Sequence, residues 1–532
     1  MSQTAAKSRE GIIKALTSQP LDLLIIGGGI TGSGIARDAA MRGLKVGLVE
    51  QHDFAFGTSS RSSRLLHGGL RYLAQGRIGL VHEASVEKKI VNQIAPHLAA
   101  PLAFVFPTYS DNRDWKLWQL KIGVKIYDLL CGGRNLGTSS WLDKGEALRH
   151  VPGLAGTNLN GAVRYFDGLT NDARLVLDTL RSAENQGALL LNYCQFQDAK
   201  FVLGEWQCDL FDVAQASNLE VKAGYKAPVR LGAGSAANLQ AGSPRYLVRT
   251  RAVVNATGPW ADGLPHSAVK LRLTKGIHLV VERSRFPFPD AIVMTEGKRI
   301  LFVIPWGDRT IIGTTDTDYD GSLDDVHANA EDIRYVLQIT NQFFPKAKLT
   351  GQNVISTWAG LRPLIANSDG KPSDISRSHD IRSPEPFWWD VAGGKLTTYR
   401  LMAEQAVDQI VRKLGGNFSR CRTASEALLP PGEVAGVSGI VPPHFCKSAV
   451  EHFCLHEWVQ HLDDIMIRRT SWHYYFRDAD ARALEAAEWM QEILGWDRSR
   501  KAVELLRYRG FSKWESTKPS SPSRVGEFAG KK

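Results

Sequence analysis

The chain has 532 residues, 43% hydrophobic and 23% charged, with a formal net charge of +10; it is long enough for two or three domains, and its composition is ordinary for a globular protein. Met1 to Pro20 lacks the apolar core of a secretory signal, and no segment reaches the roughly 18 apolar residues that span a bilayer, which leaves a soluble or peripherally attached protein. Residues 498–532 carry ten Lys/Arg against three Asp/Glu, so the basicity is mostly a C-terminal feature that either solubilises or holds an anionic membrane surface; no nucleic-acid partner is expected.

The first element in the chain is a strand–helix–strand unit. The apolar run Leu23–Ile26 leads into Gly27-Gly-Gly-Ile-Thr-Gly32, a helical stretch follows, and Lys45-Val-Gly-Leu-Val closes on Glu50. A lone glycine motif is weak evidence, but this context predicts a dinucleotide site. Gly27 permits the tight turn, Gly29 lets backbone N–H groups approach a pyrophosphate, and Gly32 allows helix to pack closely on strand. Glu50 can accept both ribose hydroxyls and would repel a 2′-phosphate, so NAD and FAD remain open and NADP is disfavoured.

Thr58 to Tyr72 is too polar for a core helix and too regular for a linker, and reads as a binding loop. Trp115, Trp118, Ile122, Ile126 and Leu129 predict a helix over 112–130 that contributes to the core, and Asn171 to Gly187 predicts a second helix. Phe211 to Pro244 is Gly/Ala/Asn-rich and is expected to be a long excursion between strands. Arg251 to Gly258 reads as a buried strand whose small-residue end faces a cofactor at the carboxyl edge of a parallel sheet. Three β-rich runs, Gly276–Glu282, Arg299–Trp306 and Arg309–Thr315, predict an inserted, mainly antiparallel sheet that forms a substrate wall. A helical domain with the stripe Ala483, Leu484, Ala487, Met490 and Leu494 follows, and then a basic tail that is expected to be disordered.

Asp390 to Tyr399 is a strand, a Gly-Gly turn and the start of a helix that runs to about Leu414. A second turn aiming a helix N-terminus at an anion suits FAD, whose reduced ring carries negative charge near N1. Lys395 adds a cation there. Arg71, Arg362 and Arg377 fall in or beside turns, and their guanidinium forks suit a small anionic substrate. His278 alternates into a strand and can face the flavin or be a core histidine. Asp316 to Gly321 opens like a calcium loop but has His327 where a bidentate Glu is needed, so calcium is not expected. The six cysteines, Cys131, Cys194, Cys208, Cys421, Cys446 and Cys454, have no zinc spacing and are expected to be reduced.

Gly27-Gly-Gly-Ile-Thr-Gly, Thr58-Ser-Ser, His67-Gly-Gly-Leu-Arg-Tyr72, Asn255-Ala-Thr-Gly-Pro-Trp260, Phe302-Val-Ile-Pro-Trp306, Ile312-Gly-Thr-Thr-Asp316, Gly393-Gly-Lys-Leu-Thr-Thr-Tyr399 and Asp464 with Arg468-Arg-Thr470 occur in one order. Together they resemble the FAD-dependent respiratory glycerol-3-phosphate dehydrogenases, bacterial type, over roughly residues 20–515. The resemblance implies FAD as cofactor, glycerol 3-phosphate as substrate, a membrane quinone as electron acceptor, and peripheral attachment to the inner face of the cytoplasmic membrane, with a homodimer as one possible assembly. The basic helix Arg498 to Arg509 is the candidate membrane contact.

Carried over motif by motif, Arg71, Tyr72, His278, Arg362, Arg377 and Lys395 form the phosphate and hydroxyl pocket. Hydride passes from C2 to flavin N5, His278 takes the hydroxyl proton, and Arg362, too weak an acid to serve as a base, orients the developing carbonyl oxygen. Cofactor contacts are expected from Gly27, Gly28, Gly29, Thr31, Gly32, Glu50, Thr58, Ser59, Ser60, His67, Gly68, Gly69, Thr257, Gly258, Asp316, Gly394, Lys395, Leu396 and Thr397.

The fold class expected is α/β: a Rossmann-like FAD-binding domain (20–75, 150–265 and 357–420), an antiparallel-sheet substrate or cap domain (76–149 and 266–356), and a C-terminal helical domain (424–512) with a basic tail (513–532). The N-terminal 20 residues and the 211–244 excursion depart from the family pattern. A peroxide-forming glycerol-3-phosphate oxidase, an amino-acid oxidase and a non-catalytic flavin-containing interaction protein remain as rival readings. The arginine cluster disfavours the amino-acid oxidase, and His278, Arg362 and Lys395 speak against loss of catalysis.

Overall fold

Leu21–Ile26 is aliphatic on both faces, which suits a strand with no face to spare for water. In the computed structural model, which describes residues 8–69, 77–112, 114–130, 136–214, 245–366 and 379–515, it is the central strand of a mixed sheet. Val46–Val49 and then Leu189–Leu191 lie parallel on one side. Arg245–Asn255 and Trp388–Gly393 lie parallel on the other, with His379–Arg382 antiparallel at the edge. Leu23 and Ile25 pack under the helices Ile30–Met41, Asp172–Asn185 and Tyr399–Leu414. Leu24 and Ile26 face the opposite way, onto the hairpin Cys194–Val202/Glu205–Asp212 and the N-terminal helix Arg9–Ser18. That helix is tied down by Arg9, which donates to Asp212 at 2.7 Å and to the carbonyl of Asn192 at 2.7 Å.

A second sheet, mainly antiparallel, is built on Leu271–Glu282. Ser356–Ile365 pairs along its length, and Arg309–Gly313, Arg299–Trp306 and Ala291–Glu296 follow on the other side. Ala99–Tyr109 joins parallel to Ala291–Glu296, and Leu159–Thr170 pairs with it over nearly its full length. Strand alternation divides the residues of Leu271–Glu282: Ile277, Leu279 and Val281 pack under helix Ala330–Phe343, while Val280 lies in the core on the other face. His278 shares Val280's face.

The expected α/β class, with helices toward the C-terminus, is present, but three strands join the second sheet from segments assigned to the nucleotide-binding unit. They are Leu65–Leu66 (from 20–75), Leu159–Thr170 (from 150–265) and most of Ser356–Ile365 (from 357–420). Pairing partners decide sheet membership, and those partners lie far away in the chain. The predicted helix over 112–130 also differs from expectation. It runs Leu117–Leu130 and buries Leu120, Val124 and Tyr127, whereas Trp118, Ile122, Ile126 and Leu129 are 60, 53, 39 and 76% exposed. The segment is apolar around most of its circumference, so spacing alone did not reveal which side faces the sheet.

Near the C-terminus Ala483, Ala487 and Met490 are buried as expected, while Leu484 is exposed and Leu494 only partly buried. The last helix, Arg498–Glu515, continues past the expected start of the tail. Residues 516–532 and most of the 211–244 excursion lie outside the described residues. Among the described residues the five cysteines are free, no cluster could hold a metal ion, and no helix is long and apolar enough to cross a membrane.

A buried ionic lattice fastens the helical region to the first sheet. Arg469 donates to both Asp53 oxygens at 2.6 and 2.9 Å, and Arg468 donates to Asp53 at 2.5 Å and to Asp463 at 2.7 Å. Glu457 accepts from Arg174 at 2.6 Å, and Arg174 also donates to Asp178 at 2.7 Å. Burial alone would raise the Asp53 carboxyl, but Arg469 and Arg468 hold it below its ordinary value; Glu457 is likewise held low by Arg174. Removing the charge in Asp53→Asn takes from Arg469 its closest carboxylate and from Arg468 one of its buried partners, and a loss of about 3–5 kcal/mol in denaturant unfolding is expected. Because these carboxyls are depressed in the folded state, their stabilisation is present above the unfolded value of about 4 and lost as pH falls through the folded values. Acid unfolding of the variant should therefore be less steep in pH than that of the wild type; an unchanged profile would show that the lattice is not part of the acid transition.

Candidate active site

The carboxyl ends of the parallel strands and one face of the second sheet enclose a cavity, whose empty space is about 1830 Å3 including its mouth. From the first sheet come Gly27, Gly29, Thr31, Glu50, Thr257 and Gly258, and from the far end of the chain Gly394, Lys395, Leu396 and Thr397. The loop between them supplies Thr58, Ser59, Arg61, Ser63 and His67, and the second sheet supplies Gly276, His278, Gly360 and Arg362.

Local physics explains the glycine-rich turn. Gly27 has φ +110°, and a Cβ there would lie 2.6 Å from the Ala256 carbonyl oxygen. A Cβ on Gly32 would lie 1.9 Å from the Gly27 carbonyl oxygen, so helix and strand can cross here only on glycine. A Cβ on Gly28 would strike the Phe54 ring at 2.5 Å, so this residue serves packing and does not line the cavity. The Glu50 carboxylate accepts from the Gly28 and His52 backbone N–H groups at 2.8 and 2.9 Å. Burial raises its pKa, and its oxygens retain lone pairs for further donors. Ser59 Oγ accepts from Ile30 N at 3.0 Å, joining the binding loop to the helix start, and Thr58 donates to the Leu361 carbonyl at 2.6 Å.

His278 and Arg362 meet through strand register. Thr274, Gly276 and His278 stand opposite Arg362, Gly360 and Trp358, so all six share one face of the antiparallel pair. The facing glycines leave that face bare at its centre. A Cβ on Gly276 would lie 2.5 Å from both Arg362 Nη2 and Thr314 Oγ1, so the missing side chain lets the guanidinium lie across the strand. Arg362 is braced by Thr314 Oγ1 at 3.0 Å and by Asp316 at 3.1 Å. The His278 ring stacks on Trp358 at 5.2 Å, with a Ser63 Oγ···Nε2 hydrogen bond of 2.8 Å, while Nδ1 is buried without a partner. Burial, then Arg362, then Arg64 lower its pKa to about 3, so the imidazole is neutral in ordinary buffers.

Arg61, Arg362 and Lys395 line the cavity against one carboxylate, Glu50, which biases it toward anions. The cradle fits a flavin dinucleotide: a helix start at a glycine turn, an acidic residue at the next strand end, and a second turn, Gly393–Gly394 at φ +72° and +77°, leading to another helix.

Not every expected contact lies on the wall. Ser60 and Gly32 are buried beside it, and Gly68 instead donates its N–H to Tyr127 at 3.0 Å. Gly69 has φ +81° and does not line the cavity. Asp316 also does not line the cavity and reaches it only through Arg362. Arg71, Tyr72 and Arg377 lie outside the described residues. Arg61 and Ser63 went unsingled in the sequence because nothing in the run Ser-Ser-Arg-Ser-Ser-Arg shows which side chains turn inward.

The Gly27–Gly32 crossing gives a direct expectation. The Gly32→Ala clash is with backbone, so no rotamer relieves it; the variant is expected to purify without flavin absorbance and with a lowered melting temperature. A yellow variant that melts with the wild type would show that the crossing is looser than described.

The chain matches the FAD dependent oxidoreductase family over residues 22–388. It is 38% identical over 439 residues to the aerobic glycerol-3-phosphate dehydrogenase of Staphylococcus aureus (strain USA300), covering 80% of this chain and 74% of that protein. Its fold resembles the glycerol-3-phosphate dehydrogenase of Bacillus halodurans, solved with FAD, with a TM-score of 0.73, 27% identity and coverage of 96% and 98% of the two chains. At the level of fold alone it also resembles the L-alpha-glycerophosphate oxidase of Mycoplasma pneumoniae, with a TM-score of 0.58, 17% identity and coverage of 77% and 99%. The chain belongs to the FAD-dependent oxidoreductases and, within them, to the aerobic glycerol-3-phosphate dehydrogenase family, with FAD as its cofactor.

Proposed function

We propose that the protein oxidises sn-glycerol 3-phosphate to dihydroxyacetone phosphate and passes the electrons to a membrane quinone. The observation that carries this reading is the shared face of His278 and Arg362 in a cavity lined by further cations. Such a face offers a neutral proton acceptor beside an anion clamp. Hydride acceptance is the chemistry that FAD supplies when bound. The helix start at Gly29 to Thr31 would hold the pyrophosphate, Glu50 the ribose hydroxyls, and the turn Gly394 to Thr397 the flavin end, with Thr58, Ser59, Thr257 and Gly258 between.

Oxidation at C2 removes a hydride from carbon and a proton from oxygen. His278 takes that proton, Arg362 orients the developing carbonyl oxygen, and Lys395 with Arg61 holds the phosphate. A base depressed to about 3 is weak, but part of that depression is the field of Arg362. The phosphate dianion held by Lys395 and Arg61 opposes part of this field and raises His278 when the substrate is bound. Ser63 holds the ring through Nε2. The acceptor is lipid-soluble, so the working enzyme would sit peripherally on the inner face of the cytoplasmic membrane.

Anaerobic mixing tests the reading. Glycerol 3-phosphate should bleach the flavin, and a quinone should restore its colour faster than oxygen does; no bleaching would discard the substrate, and rapid peroxide formation would identify an oxidase. His278→Ala should slow bleaching by about 100-fold or more and remove its acid limb. Near-normal rates across pH would remove His278 from the mechanism. In the free protein the depressed histidine contributes a stability that falls as pH drops from about 6.5 toward about 3, because only the unfolded chain gains the proton there. A His278→Asn protein should lack that part of the pH dependence in denaturant unfolding.

A further inference from the structure

We infer that the outward face of helix Leu117–Leu130 docks the protein on an anionic lipid bilayer. Trp118, Ile122, Ile126 and Leu129, at i, i+4, i+8 and i+11, form one exposed apolar stripe on this helix. Such a stripe on an ordinary surface helix would be polar. Its inner side is anchored by Leu120, Val124 and Tyr127 in the core of the second sheet, so the stripe is held in place and is not a frayed end.

The surroundings of the stripe specify the partner. Lys121 and Lys125 run along one edge, and both ammonium groups lie over the ring of Trp141, at 5.3 and 5.8 Å. Trp141 is itself 54% exposed, and Ile78, at the start of the neighbouring helix, is 52% exposed. Lys116 is exposed at the helix start, beside a shallow groove that also includes Trp118 and Lys121. Asp128, the acidic residue of the helix, is occupied by the N–H of Ser139 at 3.0 Å. Apolar side chains flanked by lysines, with tryptophans at the margin, match a bilayer interface of anionic headgroups over acyl chains. A second copy of this chain fits less well, since a two-fold contact would bring the lysines of one stripe toward those of the other.

The basic stretch Arg498 to Arg509, the expected contact, has two of its arginines engaged within the protein. Arg507 donates to buried Asp463 at 2.6 Å, and Arg500 pairs with Glu504 at 2.7 Å. The stripe also has a short path to the cavity. Tyr127, on its inner side, accepts from Gly68 N, and the preceding His67 lines the cavity and donates its N–H to Thr397 Oγ1 at 3.1 Å. A lipid-soluble acceptor would therefore be met one helix layer from the cavity wall at His67 and Thr397; this last link rests on the quinone reading above.

Co-sedimentation of the FAD-loaded protein with vesicles of phosphatidylcholine, alone or mixed with phosphatidylglycerol, tests the surface. Ile122→Glu/Leu129→Glu should lower the bound fraction on the order of tenfold or more, while Lys121→Glu/Lys125→Glu should weaken binding only to the vesicles containing phosphatidylglycerol. Trp118→Gln provides a milder third variant should the first fold poorly. Arg498→Glu/Arg509→Glu should bind as the wild type. The inference falls if the wild type ignores both vesicle types, if the stripe variants bind unchanged, if only the basic-helix variant loses binding, or if the stripe variants change the oligomeric state and leave vesicle binding intact. Flavin bleaching by glycerol 3-phosphate with a water-soluble dye as final acceptor should be unaltered in the stripe variants. If the wild type does not bleach yet binds vesicles through the stripe, the functional reading fails and the docking surface stands.

Discussion

Everything at the cavity depends on a charge that cannot be moved. Asp53 follows Glu50 by three residues and is clamped by Arg468 and Arg469 from more than 400 positions later in the chain. None of these groups reaches water, so separating them would leave bare charges in a medium that cannot solvate them. The clamp thus sets the loop after the second parallel strand, and with it the carboxylate that faces the cavity. Arg37, on the helix that leaves the glycine turn, acts similarly through neutral partners, donating to the carbonyls of Thr423 and Glu426 at 3.2 and 2.8 Å.

The chemical face is organised by an absence of side chains. Gly276 and Gly360 stand opposite each other, and the space they leave is what Arg362 occupies and what a substrate would approach. Bulk on one side of the strand, under helix Ala330–Phe343, and bareness on the other come from the same two-residue alternation. The histidine held there is kept uncharged by its burial and by two arginines, one bracing the cavity wall and the other, Arg64, stacked over Trp306 at 4.3 Å. Positive charge and a neutral ring coexist because the arginines have their own partners and the ring has a hydroxyl.

The parts of this arrangement that were legible in the sequence are those set by local sterics. The Gly27–Gly32 crossing, the helix from Asn171 and the Gly393–Gly394 turn each follow from a few neighbouring residues. What depends on distant pairing was not legible. Nothing within Leu159–Thr170 names Ala99–Tyr109 as its partner rather than a strand of the parallel sheet. Helix Leu117–Leu130 reads as apolar, but only the position of Tyr127 over Asp167, 2.5 Å from its hydroxyl, shows which side is inward. Ser63 and Arg61 differ from their neighbours only in where a short irregular loop turns, and Asp316 lies near the site yet spends its charge on Arg362.

The parallel pairing of Arg245–Asn255 with Trp388–Gly393 has a consequence for how the protein is made. One wall of the cavity, Gly394 to Thr397, emerges from the ribosome after most of the chain, and until then the edge of Arg245–Asn255 has no parallel neighbour on that side. No nascent chain shorter than about 400 residues possesses the complete cradle, and such long-range pairing is slow to form. Cofactor capture is therefore a late step of biosynthesis, and a truncated chain that stops before this turn presents an open sheet edge in place of a flavin site.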